Sequence, residues 1–461
     1  MEEKSIGRFS SKIGVVLAAA GGAIGLGNIW KFPYVAGESG GGAFLIVYLI
    51  CVLLFGVPLV MTEFIIGRKA RKSAYGAFNA ISGNKRWQWL GWWCIVSAYL
   101  IMGFYFVVTG WCCNYLYEAI TNAFAGLDAD GLSQHFVTIT SSTPRVIICC
   151  VVPIILTSAV LWFGVQKGIE RLSKILLPLL FVMMILMVIR VLMIDGSGKG
   201  LRFFFQTDFS LITPKVVMVA LGQCFFSLSV GIGALITYGA YMPGEQNITS
   251  SSLQVAILDT LVAVLAGVII FPAVFAFGFD PQEGPQLVFV VLPAIFQQMS
   301  FAWLSGVLFF ILLLIAALTS TISLMEVAVA SLCDASGNKL NRHQSVLLAT
   351  GIVLVMVVLC VLSMTEKWEW LTIAGRNLFD CFDDLVTTIM MPIGALCMSL
   401  FVGWFMPSRN IDLVPYSQKS WKAKLRPVLI FALRWIVPVT ILLILLNGLG
   451  LLDALIGLFK H

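Results

Sequence analysis

AGGAIGLGNIWKFPY, at residues 20–34, places four glycines within seven residues, in the middle of an apolar segment long enough to cross a bilayer. Glycine weakens a helix interior, so a continuous helix is not expected here. In hydrocarbon every backbone amide and carbonyl needs a partner, and non-helical chain persists only where it is packed in protein or lines a polar cavity. The stretch therefore predicts a ligand site inside a membrane.

The composition indicates a polytopic membrane protein. Of the 461 residues, 59% are hydrophobic and 11% are charged, and the mean hydropathy is +0.97, which describes a chain whose main solvent is lipid. Each span needs about 20 apolar residues. We expect one transmembrane domain, residues 1–461, without a cleavable signal peptide. The eleven predicted spans are 12–37, 42–67, 88–122, 144–164, 168–194, 216–242, 250–279, 301–334, 343–363, 376–405 and 428–458.

Basic residues orient the predicted bundle. They cluster in alternate loops, for example Arg68, Lys69 and Lys72 after the second span. The positive-inside rule places these loops and the N-terminus in the cytoplasm, and an odd number of spans puts the C-terminus outside the inner (plasma) membrane. The net charge of +6 then faces anionic lipid, and no nucleic-acid partner is expected. The eleven cysteines lack metal-ligand spacing and are interpreted as packed thiols. The oligomeric state is open.

A second interrupted span follows five spans later. Residues 221–233 read LGQCFFSLSVGIG, with hydroxyls and glycines where a lipid-facing helix would carry leucine. Two broken spans in matching positions indicate an inverted repeat, an arrangement that places substrate and ion sites at the membrane midplane. We predict an all-α fold with a 5+5 inverted repeat, broken helices 1 and 6, repeats over 12–194 and 216–405, and an extra helix at 428–458.

Four motifs carry a resemblance to a known family: GLGNIWKFPY at 25–34, GGGAF at 40–44, GQCFFS at 222–227 and LTS at 318–320. With these, the chain resembles the sodium-coupled neurotransmitter symporter family, especially its bacterial amino-acid transporters with the leucine-transporter fold. The resemblance implies symport of an amino acid with sodium by alternating access, and no enzyme activity. It also implies two sodium sites, built from the oxygen ligands that a hard cation prefers.

The resemblance assigns both ion sites. Two of the implied sodium ligands, Thr319 and Ser320, have an alternative role, because hydroxyls in membrane helices also form hydrogen bonds with the backbone of their own helix. The first site would use Ala23, Asn28, Ser227 and Asp259 together with the substrate carboxylate, and the second Gly21, Ile24, Ala316, Thr319 and Ser320.

Asp259 departs from the family pattern, in which asparagine is common, and Ala263 stands where chloride-dependent members carry serine. An ionisable residue at membrane depth is functional by default. We hypothesise that the Asp259 carboxylate supplies the negative charge that chloride supplies in those relatives. The alternative is a protonated side chain bonded to a neighbour.

For the substrate, the free amides of a half-helix suit a carboxylate. Gly25 stands where amine transporters carry aspartate, which favours a substrate with its own carboxylate. Gly22 and Ile232 replace bulkier residues of the leucine-selective prototype, so we expect a roomy pocket for a hydrophobic or aromatic L-amino acid. Two of the implied substrate-binding residues, Tyr105 and Phe226, could instead serve only in aromatic packing. The substrate residues implied are Gly22, Ala23, Leu26, Gly27, Ile101, Tyr105, Phe226, Ser227, Ser229, Ile232, Ser320, Ser323 and Leu324.

The resemblance also implies gates. Lys31 and Asp383 match the outer charged pair, with Phe226 as the lid over the substrate. On the inner side Asp334 matches the acidic residue, and Arg8 is the nearest substitute for its usual arginine. Three further residues have expected roles: Gly168 and Pro178 would let the fifth span unwind, and Glu63 would support the broken first span.

Three other functions are alternatives to sodium-coupled amino-acid symport. A membrane enzyme is disfavoured because the only histidines are His135, His343 and His461, none of them deep in a span beside a nucleophile. A transport-dead amino-acid receptor and a symporter of another small zwitterion remain as alternatives.

Overall fold

The computed structural model describes residues 7–280, 287–299, 301–337, 339–406, 411 and 425–451. Within these ranges the chain is helical, and the only β pairing is an isolated bridge between Ile373 and Arg376. The predicted end of the last span, 452–458, lies outside the described residues.

The helices that build the bundle are numbered in chain order. They are α1 (Lys12–Ala23), α2 (Gly27–Glu38), α3 (Gly42–Ala70), α4 (Ala74–Ser82), α5 (Lys85–Ile120), α6 (Ala129–Ser141), α7 (Thr143–Trp162), α8 (Val165–Leu192), α9 (Gly198–Phe205), α10 (Pro214–Ser227), α11 (Ala234–Tyr241), α12 (Ile248–Ala276), α13 (Leu287–Gln298), α14 (Ala302–Ala335), α15 (Arg342–Ser363), α16 (Leu378–Phe405) and α17 (Arg426–Gly448).

The all-α membrane fold with broken first and sixth spans is confirmed. Among the described residues, nine helices are long and apolar enough to cross a membrane, and the bent pair α1 and α2 makes a tenth. α10 and α11, with 14 and 8 residues, are each short for a span and are separated by residues 228–233. Eleven spans require counting them as one broken span, so that number stays a prediction, as do the limits of the two repeats.

The first break has a simple backbone origin. α1 ends where Ile24 turns to an extended conformation (φ −67°, ψ 112°), and α2 continues at an angle of 51° to it. The turn is closed locally, because the Gly25 amide donates to Asn28 Oδ1 at 3.0 Å. α1 packs against α8, α12 and α14, which surround the break.

The second break is held by a carboxylate from another span. Ser229, Gly231 and Gly233 all have positive φ, so the chain cannot continue as a helix between α10 and α11. Glu63 of α3 accepts hydrogen bonds from the amides of Gly231 (2.7 Å) and Ile236 (3.3 Å). An acidic group at the N-terminus of α11 satisfies free amides and suits the helix dipole. Glu63 thus supports the second break, and its assignment to the first was wrong.

Two long helices form the centre of the bundle. Within their most apolar windows, 78% of α5 and 72% of α14 are buried, whereas only 33% of α7, α8 and α17 are. α5 and α14 pack along each other, and the broken helices lie beside them. The fifth span begins with a π-helical turn, Val165–Glu170, and contains Pro178 inside α8. Its predicted irregularities are therefore present within a continuous helical segment.

Candidate functional site

Three predicted ligands of the first ion site meet at the breaks. Asn28 lies in the first turn of α2, Ser227 at the end of α10 and Asp259 inside α12, and all three are buried. Asn28 Nδ2 donates to Ser227 Oγ (2.9 Å) and Asp259 Oδ1 (2.8 Å), and Ser227 Oγ donates to Asp259 Oδ2 (2.7 Å). The Asp259 carboxylate and the Ser227 hydroxyl offer the hard oxygen donors that sodium prefers. Asn28 presents its amide nitrogen to both groups, while its Oδ1 accepts from the Gly25 amide at 3.0 Å.

One further side chain, Tyr48, joins this cluster. Ala23, the fourth predicted ligand, is the buried last residue of α1. Tyr48 of α3 donates its hydroxyl to Ser227 Oγ at 3.3 Å. Sequence reasoning missed Tyr48, because nothing in an apolar run distinguishes a tyrosine that faces an ion site from one that packs.

The second predicted set meets at the end of α1. Thr319 Oγ1 and Ser320 Oγ of α14 donate to the Ile24 carbonyl at 3.3 Å and 3.1 Å. Thr319 Oγ1 also bonds the Ala316 carbonyl of its own helix at 2.9 Å, so the back-bonding alternative and the cross-helix contact both occur. Gly21 faces the same helix, since a Cβ there would lie 3.4 Å from Thr319 Cβ.

At the predicted carboxylate-binding turn, Leu26 meets Tyr105 of α5. The Leu26 amide donates to Tyr105 Oη at 3.0 Å. A Cβ on Gly25 would lie 2.3 Å from Ser320 Oγ and 2.5 Å from Tyr105 Oη, so only glycine fits where these hydroxyls approach. The Gly27 carbonyl accepts from Gln223 Nε2 at 2.9 Å. Gln223 belongs to the GQCFFS motif, and that motif could have identified it.

The remaining wall residues are also gathered here. Ser229 Oγ contacts the Gly22 carbonyl at 3.4 Å, and Ser323 Oγ contacts Tyr238 Oη at 2.7 Å. The space beside Gly22 is filled, because a Cβ there would lie 2.5 Å from Ser323 Oγ. The expectation of room beside Gly22 is therefore corrected: like Gly25, this glycine lets a hydroxyl of a neighbouring helix approach. The room expected from Ile232 stays a prediction. Ile101, Ile232 and Leu324 are buried and apolar, and Phe226 is half-buried.

The outer gate residues do not form the expected ion pair. The Lys31 ammonium lies 4.2 Å from the centroid of the Phe226 ring, a cation–π contact. Asp383 has a buried Oδ1 with no hydrogen-bond partner among the described residues. Lys31 and Phe226 are therefore in contact, while Lys31 and Asp383 are not within ion-pair distance of each other.

The inner acidic residue has a different partner from the one predicted. Asp334 Oδ2 accepts from the amide and the hydroxyl of Ser73 at 2.8 Å and 2.7 Å, and Oδ1 lies 3.6 Å from Lys72. Arg8 is exposed. Burial, and then the nearby positive charge of Arg8, lower the pKa of Arg71, which places Arg8 near another arginine. The structure thus links Asp334 to the connection between α3 and α4 and not to Arg8.

A buried ion pair near the inner gate was not predicted. Glu326 is fully buried in α14 and receives both terminal nitrogens of Arg342 at 3.0 Å and 2.7 Å. Tyr241 Oη donates to the same carboxylate at 2.6 Å. The sequence contains a signal that could have identified this pair, because Glu326 is an ionisable residue within an apolar span. The pair ties α11, α14 and α15 together.

The whole chain is similar to known transporters. The family model of the sodium:neurotransmitter symporter family matches residues 7–132 and 131–452. The chain belongs to this family. This symporter is 36% identical over 453 residues to the uncharacterized sodium-dependent transporter YhdH of Bacillus subtilis, a match that covers 98% of the chain and 100% of the relative. It is 33% identical to an uncharacterized sodium-dependent transporter of Haemophilus influenzae, covering 96% and 98%.

A solved structure also matches this symporter. The crystal structure of MhsT in complex with L-phenylalanine superposes with a TM-score of 0.87 and 39% identity, covering 96% of this chain and 99% of that one. The predicted family and the leucine-transporter type of fold are confirmed. The protein is a sodium-dependent, multi-pass membrane transporter.

Proposed function

We propose that this transporter couples sodium entry to the uptake of a hydrophobic or aromatic L-amino acid, without chloride. The observation that carries the proposal is the shared turn at the first break. Asn28 contacts Ser227 and Asp259 through Nδ2 and accepts the Gly25 amide through Oδ1. One residue further, the Leu26 amide points at Tyr105. Ion ligands and a carboxylate-binding amide therefore belong to one short segment.

Coupling follows from this arrangement. A substrate carboxylate held by the Leu26 and Gly27 amides and the Tyr105 hydroxyl would complete the oxygen shell of a sodium ion at Asn28, Ser227 and Asp259. Each ligand would then raise the affinity for the other by the same factor. A second sodium at Gly21, Ile24, Ala316, Thr319 and Ser320 would hold α1 against α14.

Two features support a large apolar side chain. Ile101, Phe226, Ile232 and Leu324 supply an apolar wall. MhsT, the solved relative, was crystallised with L-phenylalanine. Because a methylene in an apolar pocket discriminates by only about 1–3 kcal/mol, we infer a group of related amino acids as substrates.

The gates would act at the two ends of this site. On the outer side, Phe226 would close over the substrate with Lys31 on its ring, and Asp383 would receive Lys31 in another conformation. On the inner side, Asp334 with Ser73 and Lys72 would hold the closed arrangement. The proposed location is the inner (plasma) membrane, with a cytoplasmic N-terminus and an external C-terminus.

Uptake into proteoliposomes tests the proposal. The full chain is reconstituted, an inward sodium gradient is imposed, and accumulation of labelled L-phenylalanine is measured in chloride and in gluconate. We expect accumulation that needs the sodium gradient, survives gluconate and is inhibited by other hydrophobic amino acids. Binding without accumulation would identify a receptor. Sodium-driven accumulation of a labelled non-apolar zwitterion, without accumulation of phenylalanine, would identify a symporter of another substrate.

A further inference from the structure

A groove of about 680 Å³ opens between the first half of α1 and the start of α12. It starts at the end of the bundle where both helices begin, and its lining extends along α12 to Leu258, the residue before Asp259. We call it the α1–α12 groove, defined by six of its lining residues. They are Lys12, Ile13, Glu245, Gln246, Gln254 and Ile257.

The rim of the groove carries opposite charges. Lys12 and Glu245 are both exposed, and the ion pairs found in the described part of the chain include neither of them. A free ammonium and a free carboxylate on one groove are complementary to a ligand that carries both an anion and a cation.

A buried acceptor also lacks a partner in this groove. Gln246 is only 4% exposed, and its Nε2 donates to Ser251 Oγ at 2.7 Å and to the Lys12 carbonyl at 3.4 Å. Its Oε1 is buried with no hydrogen-bond partner among the described residues. Leaving a buried acceptor unpaired costs about 1–3 kcal/mol, so a donor from a ligand would be favourable here.

The rest of the groove is apolar and open at the side of the bundle. Ile13 is 67% exposed and Ile257 is 53% exposed, in helices that belong to membrane spans. Such side chains meet lipid tails, and their exposure beside a polar rim places the groove at the boundary between hydrocarbon and headgroups. The N-terminus of α12, capped by Asn247, adds a positive dipole end at the same rim.

We propose that the α1–α12 groove binds an aminophospholipid of the phosphatidylethanolamine class. The phosphate would lie near Lys12 and the start of α12, the primary ammonium would donate to Glu245 and Gln246 Oε1, and an acyl chain would cover Ile13 and Ile257. Bound in this way, the lipid bridges α1, which carries half of the first break, to α12, which carries Asp259. This site is additional to the transport function and does not depend on the identity of the substrate.

Native mass spectrometry of the full-length, delipidated protein tests the site. Soluble short-chain phosphatidylethanolamine, phosphatidylcholine and phosphatidylglycerol are titrated separately. Phosphatidylcholine keeps the phosphate but its quaternary ammonium cannot donate a hydrogen bond, and phosphatidylglycerol lacks the amine. We expect the first lipid to bind about tenfold more tightly than the other two, since hydrogen bonds to charged groups are among the strongest.

Three variants locate the binding. Glu245→Gln should remove the preference for phosphatidylethanolamine over phosphatidylcholine, and Lys12→Gln should weaken both about equally. Lys85→Gln, which changes an exposed lysine at the start of α5, is the matched control and should leave all affinities unchanged. Equal binding of the three lipids by the unmodified protein would overturn the proposal. So would a Glu245→Gln protein that keeps the preference.

Discussion

Asp259 brings a carboxylate into the centre of the bundle, where it receives hydrogen bonds from Asn28 and Ser227. A buried charge is costly unless it is paired or coordinates a cation. The donors Asn28 and Ser227 compensate part of this charge, and a bound cation would compensate the rest. The hypothesis that the Asp259 carboxylate replaces chloride concerns this one side chain, so single substitutions can test it.

Asp259→Asn should weaken sodium dependence and introduce a response to chloride. The substitution retains the shape of the side chain but removes its charge, and two unit charges about 4 Å apart interact strongly at the dielectric of a protein. We expect the sodium concentration for half-maximal uptake to rise at least about tenfold, and chloride to restore part of the loss. Asp208→Asn in the exposed loop after α9 is the control. An unchanged sodium response would refute the assigned role.

Gly25→Ala should abolish substrate binding. Its Cβ would lie within 2.5 Å of the Ser320 and Tyr105 hydroxyls, and displacing them would break the contact between Tyr105 and the Leu26 amide. We expect uptake of labelled phenylalanine to fall by more than about tenfold. Gly222→Ala is the matched control in the other broken span, because a Cβ there meets nothing within 4 Å. Similar uptake by the two variants would contradict the close approach.

At the scale of elements, α11 depends on a residue of α3. Glu63 is 1% exposed and accepts from the Gly231 amide in the break and from the Ile236 amide in the first turn of α11. The helix has only 8 residues, too few to be stable by itself. Its position next to the second break is therefore set by this carboxylate and by packing on α3.

Glu63→Gln should destabilise the transporter. The amide retains one acceptor oxygen and loses the other together with the charge, which leaves a buried amide of α11 poorly satisfied at a cost of about 1–3 kcal/mol. We expect a lower melting temperature in detergent, measured by intrinsic fluorescence. Glu38→Gln, at the exposed end of α2, should melt like the unmodified protein. Equal melting of both variants would mean that Glu63 does not hold the break.

At the inner end of α14, mutations can test whether Asp334 interacts with Ser73 or with Arg8. In double-mutant cycles, Ser73→Ala and Asp334→Asn should be coupled by about 0.5 kcal/mol or more, because the two side chains are in contact. Arg8→Gln and Asp334→Asn should be additive. The free energy of unfolding in detergent is the measurement. Coupling of Arg8 but not Ser73 would restore the latch expected from the sequence.

At the scale of the whole molecule, the number of spans decides the orientation of the C-terminus. If α10 and α11 form one span, then Lys199 in α9 and Leu449 after α17 lie on one side of the membrane and Lys85 on the other. Single cysteines at these positions should react accordingly with a membrane-impermeant maleimide on intact cells, with the unmodified protein as background. Labelling of Leu449→Cys together with Lys85→Cys would indicate an even number of spans.

Much of the architecture could be predicted from the sequence. The glycines at 21–27 and 229–233 are local signals, and the rule that lipid-exposed backbone must be hydrogen-bonded applies to each span separately. Asn28, Ser227 and Asp259 were predicted together from the family resemblance, and their side chains do meet. The partners of Glu63 and Asp334 were not predicted, because Gly231 and Ser73 lie 168 and 261 positions away in the chain.

The sequence by itself determined the solvent of this protein, its helical spans and the two places where helices break, because hydrophobicity and glycine act over a few residues. Only the tertiary structure decided which side chains share those breaks. It placed Lys31 on Phe226, filled the space beside Gly22 and Gly25 with hydroxyls, and paired Glu326 with Arg342. Such contacts depend on the rotation and crossing angle of packed helices, which the spacing of residues along one helix does not specify.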